Sequence, residues 1–196
     1  MKKSLIVLLL SSVGAFATSV EYSTTVTLNG LGPATSETYT ASAGNTLTAT
    51  GFTNQTVNDP VNGTIANMVT FMTTGSLTLS VPIPFTLTLT QQLPLPSGTQ
   101  SFGAASISGT IVTDSSGGLS VLYTNPTTLT FTEGPLSTSY TLNFNGAANT
   151  YDIANDNPDI QEARLQQTTT PEPASLGLMG ASLVGLGIFV RRRVRK

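Results

Sequence analysis

Carboxylates are the residues of this sequence with the widest range of possible chemistry, and several lie close together. In the segment YDIANDNPDIQE, residues 151–162, the residues Asp152, Asp156 and Asp159 alternate with asparagines that carry further oxygen atoms. Hard oxygen ligands of this kind suit calcium, so these three aspartates are a candidate calcium site. The spacing does not match an EF-hand loop, because the turn lacks its glycine and no bidentate glutamate follows at the required distance. A solvated acidic loop is the alternative, and no other cofactor is expected.

A pair of carboxylates can also hydrolyse a glycosidic bond, and the candidates are Glu37 with Glu133 or Asp114. Such a pair needs one carboxyl group with a raised pKa and a separation of roughly 5–9.5 Å. The chain has no histidine and no cysteine, which excludes Ser-His-Asp and Cys-His catalysis and the commonest zinc ligands. We therefore expect a protein that is not an enzyme and has no catalytic residues.

The elements that hold these residues are predicted to be strands. In SLTLSVPIPFTLTLTQ, residues 76–91, apolar residues occupy every second position from Leu77 to Leu89. Pro82 and Pro84 cannot donate to a ladder, so this run is expected to be an edge strand or two strands joined at a bend near 81–85. Similar alternation recurs between turn signals along the body of the chain. The pattern predicts an all-β, antiparallel β-sandwich of about eight to ten strands.

The clearest hairpin is predicted around Glu133-Gly134-Pro135, with strands over 129–132 and 138–144. Phe131, Leu142 and Phe144 alternate with polar residues in these strands, so all three are expected in the core. Asn29-Gly30 is a second turn signal of the kind that closes tight hairpins.

The composition of the body restricts what it can bind. Between residues 18 and 170, Arg164 is the only basic residue and stands against nine acidic ones, a net charge of −8. Nucleic-acid binding through a basic patch is therefore excluded. About a third of the body is Ser or Thr, which suits the outward positions of strands. The alternative is a hydroxyl coat that carries O-glycans or contacts polysaccharide.

The first residues have the three parts of a secretory signal peptide. Lys2 and Lys3 precede an apolar run over 5–13, and Ala15-Phe16-Ala17 supplies the small residues of a cleavage site. We expect cleavage between Ala17 and Thr18. The secretion machinery is then a partner, and the body is exported.

The last residues combine a short motif, an apolar stretch and a basic end. Pro171-Glu172-Pro173 precedes fifteen apolar or small residues, 176–190, which form roughly 22 Å of helix where a bilayer core is about 30 Å thick. The stop-transfer tail that follows consists of Arg191, Arg192, Arg193, Arg195 and Lys196. Because positive residues stay in the cytoplasm, the body lies outside.

This combination resembles the PEP-CTERM sorting signal of Gram-negative bacteria. The resemblance covers about the last 26 residues, and Thr170 stands where that family often has Val before the triplet. It implies transient retention in the inner membrane and removal of the tail by an exosortase, an integral-membrane cysteine protease. It also implies a destination at the cell surface or in an exopolysaccharide matrix. The expected organisation is a signal peptide (1–17), a β-sandwich domain (18–160), a linker (161–170) and the sorting signal with its transmembrane helix (171–196).

Function is then expected to be structural or adhesive, at the cell surface or in the matrix. One alternative is a carbohydrate-binding module, for which the five tyrosines would have to form the sugar platform. The other is the two-carboxylate glycoside hydrolase described above. The partners implied are the exosortase-like protease, the secretion machinery, the inner membrane and exopolysaccharide.

The signal-peptide prediction can be checked directly. We expect the exported protein to begin at Thr18, because signal peptidase cuts after the small residue that ends the cleavage site. Amino-terminal sequencing of protein recovered from the culture would measure this. Exported protein that retains Met1 would contradict it.

Overall fold

The computed structural model describes residues 19–41, 44–58, 60, 63–94, 97–112, 118–134, 136–153, 158–169, 180–183 and 185. This part of the chain is nearly all β and forms two antiparallel sheets. Sheet A contains β1 (Ser19–Leu28), β2 (Leu31–Ala34), β5 (Gln55–Asn58), β7 (Leu77–Leu93), β8 (Gly98–Ser101), β9 (Ala105–Ile111), β10 (Leu119–Tyr123) and β13 (Thr150–Ile153). Sheet B contains β3 (Ser36–Thr40), β4 (Thr46–Gly51), β6 (Thr64–Thr74), β11 (Thr128–Glu133), β12 (Leu136–Leu142) and β14 (Asp159–Thr169).

The two sheets pack face to face in a sandwich-like arrangement. Sheet A has the order β13-β10-β9-β7-β1-β2, with β5 also paired to β1 and β8 to β7, and sheet B has the order β11-β12-β14-β6-β4-β3. Side chains of both sheets meet between them. For example, the rings of Phe71 on β6 and Phe85 on β7 lie 5.5 Å apart. The core is this layer, and it follows from the period-two pattern that the sequence predicts.

The number of strands in the described residues is fourteen, so the prediction of eight to ten is too low. Six of the fourteen, β2, β3, β5, β8, β10 and β13, are only four or five residues long. Too few alternating residues fall in such strands for a periodic pattern to be recognised.

β7 corrects the interpretation of Pro82 and Pro84. It is one 17-residue strand near the centre of sheet A, neither an edge strand nor two strands joined at a bend. Its second half pairs with β1, whereas its first half extends past the end of β1 and pairs with β9. The ladder with β9 is irregular between Leu79 and Ile83, and Val81 within that interval is 74% exposed. Pro82 lies within this irregularity, where the ladder is interrupted, and Pro84 follows directly after it, opposite Ser106 on β9.

The predicted hairpin and the turn signal at Asn29-Gly30 are both confirmed. Asn29 and Gly30 both have positive φ, 52° and 77°, and join β1 to β2 in the two-residue turn that asparagine and glycine favour. β11 and β12 pair across the turn that contains Gly134. Phe131 and Leu142 are buried as expected, but Phe144 lies just past the end of β12 and is only partly buried.

The prediction of a linker over 161–170 is wrong for residues 161–169, which are the part of it that the structure describes. Residues 161–169 belong to β14, which lies between β12 and β6 in the middle of sheet B. Residues 161, 163, 165 and 167 are buried and the residues between them are not. The β domain therefore continues to Thr169 instead of ending at 160.

The two predicted membrane-directed segments lie largely outside the described residues. The signal peptide, 1–17, and the motif Pro171-Glu172-Pro173 are both among the residues not described. Residues 180–183 and 185 are helical. Within the described part of the chain, no helix is long and apolar enough to cross a membrane.

The packing makes a quantitative prediction for β6. Phe71→Ala should lower the free energy of unfolding by about 3–5 kcal/mol, because the side chain is fully buried against Phe85 and Tyr151. Met72→Ala is the matched control, since the next side chain in the same strand is 46% exposed and should cost less than about 1 kcal/mol. Urea unfolding followed by circular dichroism measures both. Equal losses would contradict the register of β6.

Candidate functional site

Two of the three predicted calcium ligands lie in the described residues, and both accept hydrogen bonds from other strands. Asp152 lies on β13, and its Oδ1 accepts a hydrogen bond of 2.7 Å from Ser120. Asp159 opens β14, and its Oδ1 accepts one of 2.6 Å from the Tyr151 hydroxyl. Asp156 lies outside the described residues. No group of three or more acidic residues suited to a metal ion is present in the described part of the chain.

The predicted hydrolase pair is not brought together. Glu37 lies on β3 and Glu133 ends β11, and these strands are the two opposite edges of sheet B. Five strand spacings separate them, about 24 Å at about 4.8 Å each, several times the distance at which two carboxylates share one glycosidic bond. Asp114 lies outside the described residues. Glu37 and Glu133 therefore cannot act on the same bond.

Four of the five tyrosines are in the core and do not form a sugar platform. Tyr22, Tyr123, Tyr140 and Tyr151 are at most 6% exposed. Tyr22 and Tyr140 stack edge-on, with ring centroids 6.0 Å apart, across the interface between the sheets. Tyr39 on β3 is the fifth and is partly buried against the core. The sugar platform that the alternative of a carbohydrate-binding module requires therefore lacks four of its five rings.

Each of the four buried hydroxyl groups donates a hydrogen bond to the opposite sheet. From sheet A, Tyr22 donates to the Asn67 carbonyl oxygen (2.8 Å), Tyr123 to Gln161 Oε1 (2.6 Å) and Tyr151 to Asp159 Oδ1 (2.6 Å). From sheet B, Tyr140 donates to Gln91 Oε1 (3.0 Å). These bonds remove the cost of burying the hydroxyl groups and fix the two sheets relative to each other.

Burial controls the ionisation of these tyrosines. It raises the pKa of Tyr22, Tyr123 and Tyr140 far above the usual value for a phenol, because a phenolate would lose its hydration. The pKa of Tyr151 is raised by burial, and further by the hydrogen bond to Asp159 and that residue's charge. All four are therefore neutral donors at any physiological pH.

The buried glutamines that accept these bonds were missed by the sequence interpretation. Gln91 and Gln161 are fully buried. The Nε2 of Gln161 is buried and has no hydrogen-bond partner among the described residues, whereas Gln91 Nε2 donates to the Pro94 carbonyl oxygen (2.8 Å). A signal was present, because Gln161 alternates with Ala163 and Leu165 at period two. Counting glutamine as polar concealed it.

The outer faces of both sheets carry paired hydroxyl groups. Seven Ser or Thr pairs lie directly opposite each other on neighbouring strands, with oxygen atoms 2.6–3.2 Å apart. The pairs are Ser36–Thr50, Thr38–Thr48, Thr46–Thr74, Thr88–Ser101, Thr90–Thr99, Thr128–Thr141 and Thr132–Ser137. Cross-strand hydroxyl pairs of this kind stabilise sheets, which supports the structural interpretation of the threonine enrichment.

β14 connects the sheet directly to the C-terminal motif. Thr168 is paired with Ser137 and Thr169 with Leu136, so the ladder with β12 continues to the last described residue of the strand. Thr170 is the one residue of the sequence between this ladder and Pro171-Glu172-Pro173. The sequence therefore leaves no spacer between the end of β14 and the triplet.

Comparison with known families gives one match, at this end of the chain. The family described as "PEP-CTERM protein-sorting motif" matches residues 169–193. The chain carries a PEP-CTERM sorting motif. The match contains the predicted triplet and three of the five basic residues, Arg191, Arg192 and Arg193. The motif indicates a secreted protein that is sorted at the membrane by an exosortase. No curated protein and no solved structure matches the chain.

The buried tyrosines predict how stability depends on pH. Their pKa values are higher in the folded than in the unfolded state, so the folded state holds their protons more tightly. The stability they contribute is fully present below about pH 10, the ordinary pKa of the phenol, and is lost as the pH rises beyond it. Phenolate absorbance from Tyr22, Tyr123, Tyr140 and Tyr151 should therefore develop only as the protein unfolds, which an alkaline titration followed by ultraviolet absorbance and circular dichroism would measure. Ionisation of these four tyrosines in protein that is still folded would contradict their buried positions.

Proposed function

We propose that this chain is an exported structural or adhesive component of the cell surface or exopolysaccharide matrix. The observation that carries the proposal is the PEP-CTERM sorting motif at 169–193. An exosortase-like membrane protease cleaves near Pro171-Glu172-Pro173 and releases the body. The signal peptide, residues 1–17, delivers the chain to the secretion machinery, and the inner membrane holds it only until cleavage.

The local chemistry of the motif supports proteolysis at the triplet. Prolines on both sides of Glu172 keep the backbone extended and without helical hydrogen bonds, which suits a protease cleft. The apolar stretch that follows is short for a permanent span. The five basic residues, 191–193 and 195–196, hold the end of the chain on the cytoplasmic side until cleavage.

The surface of the body supports a structural role. Paired hydroxyl groups cover the outer faces of the sheets, and the net charge of −8 is carried by scattered acidic residues. Such a surface remains hydrated in a polysaccharide matrix without binding nucleic acid or anionic lipid through a basic patch. We propose a non-enzymatic role, because Glu37 and Glu133 lie too far apart to act on the same glycosidic bond.

A carbohydrate-binding module with an aromatic platform is disfavoured, because Tyr22, Tyr123, Tyr140 and Tyr151 use their rings in the core. Any contact with exopolysaccharide would have to use the hydroxyl groups of the outer faces. These groups already pair with one another, so such contact would be weak and distributed over the face.

The sorting proposal predicts the fate of the tail. Mass spectrometry of protein at the cell surface should find a chain without residues 191–196, and Glu172→Ala should leave the uncleaved chain in the inner membrane. Glu133→Ala is the matched control, since it removes one exposed carboxylate from the body and should be processed normally. Wild-type surface protein that retains its basic tail would show that the segment is a permanent anchor.

A further inference from the structure

The edge strands of the two sheets differ in how their outward backbone groups are covered. An open edge presents unpaired N–H and C=O groups to another chain, and proteins usually block it. At the β11 edge of sheet B, the Gln100 side chain donates to the Thr130 carbonyl oxygen (3.0 Å). At the β13 edge of sheet A, Asn145 bonds both the N–H (2.6 Å) and the carbonyl oxygen (2.9 Å) of Asp152. Both edges are therefore occupied by side chains of the same molecule.

The opposite edge of sheet A is blocked in a different way. β2 has four residues, and one of them is Pro33, which has no N–H to donate. β5, which continues the same side of β1, also has only four residues. Strands this short offer one or two outward-facing residues each, which is too few for a stable ladder with another chain.

β3, the remaining edge of sheet B, has none of these protections. Its sequence, Ser-Glu-Thr-Tyr-Thr over 36–40, contains no proline, lysine or glycine. It pairs with β4 in regular register, with no bulge between Ser36 and Thr40. Among the described residues, no side chain bonds to its outer backbone edge. β8, which pairs only with β7, is a further edge of sheet A, but it has only four residues, like β2 and β5. Among the described edge strands, β3 is therefore the one that is neither bonded by side chains nor limited to four residues.

The antiparallel pattern fixes which residues of β3 face the open edge. The Ala41 N–H donates to the Asn45 carbonyl oxygen, so the odd-numbered residues exchange backbone hydrogen bonds with β4. Ser36, Thr38 and Thr40 therefore point their N–H and C=O groups outward. The hydroxyl groups of Ser36 and Thr38 bond to Thr50 and Thr48 on the outer face.

We propose that β3 is the interface with a second copy of this chain, paired antiparallel about a two-fold axis at Thr38. Thr38 then lies opposite Thr38 of the second copy, and Ser36 lies opposite Thr40 of the second copy. About six backbone hydrogen bonds form, because these are the three outward-facing residues in each strand. Sheet B becomes one continuous twelve-stranded sheet, and the rows of hydroxyl groups continue across the junction.

Side chains on the inner face support this choice of partner. In the same register, Glu37 lies opposite Tyr39 of the second copy, at the positions where side chains approach most closely. Among the described residues, neither the Glu37 carboxylate nor the Tyr39 hydroxyl has a hydrogen-bond partner, although both residues are partly buried. The Tyr39 hydroxyl can donate to the Glu37 carboxylate of the second copy, and the two-fold axis repeats this bond. Tyr39 would then bond as the other four tyrosines do.

The interface can be tested by cross-linking, because the chain contains no cysteine of its own. In the proposed register, Thr38→Cys places two thiols on residues whose Cα atoms are about 5.5 Å apart, within the range for a disulfide. Thr130→Cys is the matched control, since Thr130 holds the central position of β11, the covered edge of the same sheet. Full-length chain in detergent and protein recovered from the culture should both give a covalent dimer with Thr38→Cys and remain mostly monomeric with Thr130→Cys. Equal yields from the two variants would overturn the proposal.

A second pair of variants tests whether the backbone of β3 holds the dimer. Thr38→Pro removes an N–H that faces the open edge, so the protomer keeps all its own ladder bonds. Wild-type protein and Thr130→Pro should sediment with about twice the mass of Thr38→Pro. Wild-type protein that stays monomeric at the concentrations used for cross-linking would overturn the interface. If Thr38→Pro fails to fold, the cross-linking result decides alone. None of these outcomes depends on the destination of the protein or on cleavage of its tail.

Discussion

The rest of the structure depends on the hydrogen bonds that join the two sheets through buried tyrosines. The chain has no cysteine, so no disulfide can connect the layers. Apolar burial alone holds two sheets together but specifies their relative position only loosely. The hydroxyl groups of Tyr22, Tyr123, Tyr140 and Tyr151 change this, because each must find its acceptor on the opposite sheet or remain buried without one. One relative position of the sheets satisfies all four.

β14 has two roles in this chain. It supplies acceptors for two of the four cross-sheet bonds, from Gln161 and Asp159, and it leads directly into the sorting motif. It also lies between β6 and β12, so sheet B consists of two disconnected parts until residues 159–169 are in place. Sheet B can therefore be completed only once this strand is in place. In the sequence, the matched sorting motif begins at the last residue of the strand, Thr169.

Period-two alternation predicted the fold class, the confirmed hairpins and most of the core. The incorrect linker prediction has its physical origin in residues whose polarity depends on their partners. Residues 161–170 were interpreted as a linker because glutamines and threonines dominate them, yet Gln161 and Gln167 fill buried positions. The alternative of a carbohydrate-binding module required the tyrosines at the surface, but a tyrosine hydroxyl group that has an acceptor is equally suited to a core. The sorting motif was found from sequence because its signal is local and does not depend on packing.

Polar side chains have different partners inside and outside this fold. Inside, each buried tyrosine donates to one acceptor on the opposite sheet. Outside, threonines and serines pair along the surface and leave it hydrated with almost no positive charge. Lysine would ordinarily protect the edges of such sheets, but the body has none, and protection instead comes from Gln100, Asn145 and Pro33. Without lysine, each edge strand needs another protection against pairing. β3 has none of these protections, so it is the edge at which we place the partner strand.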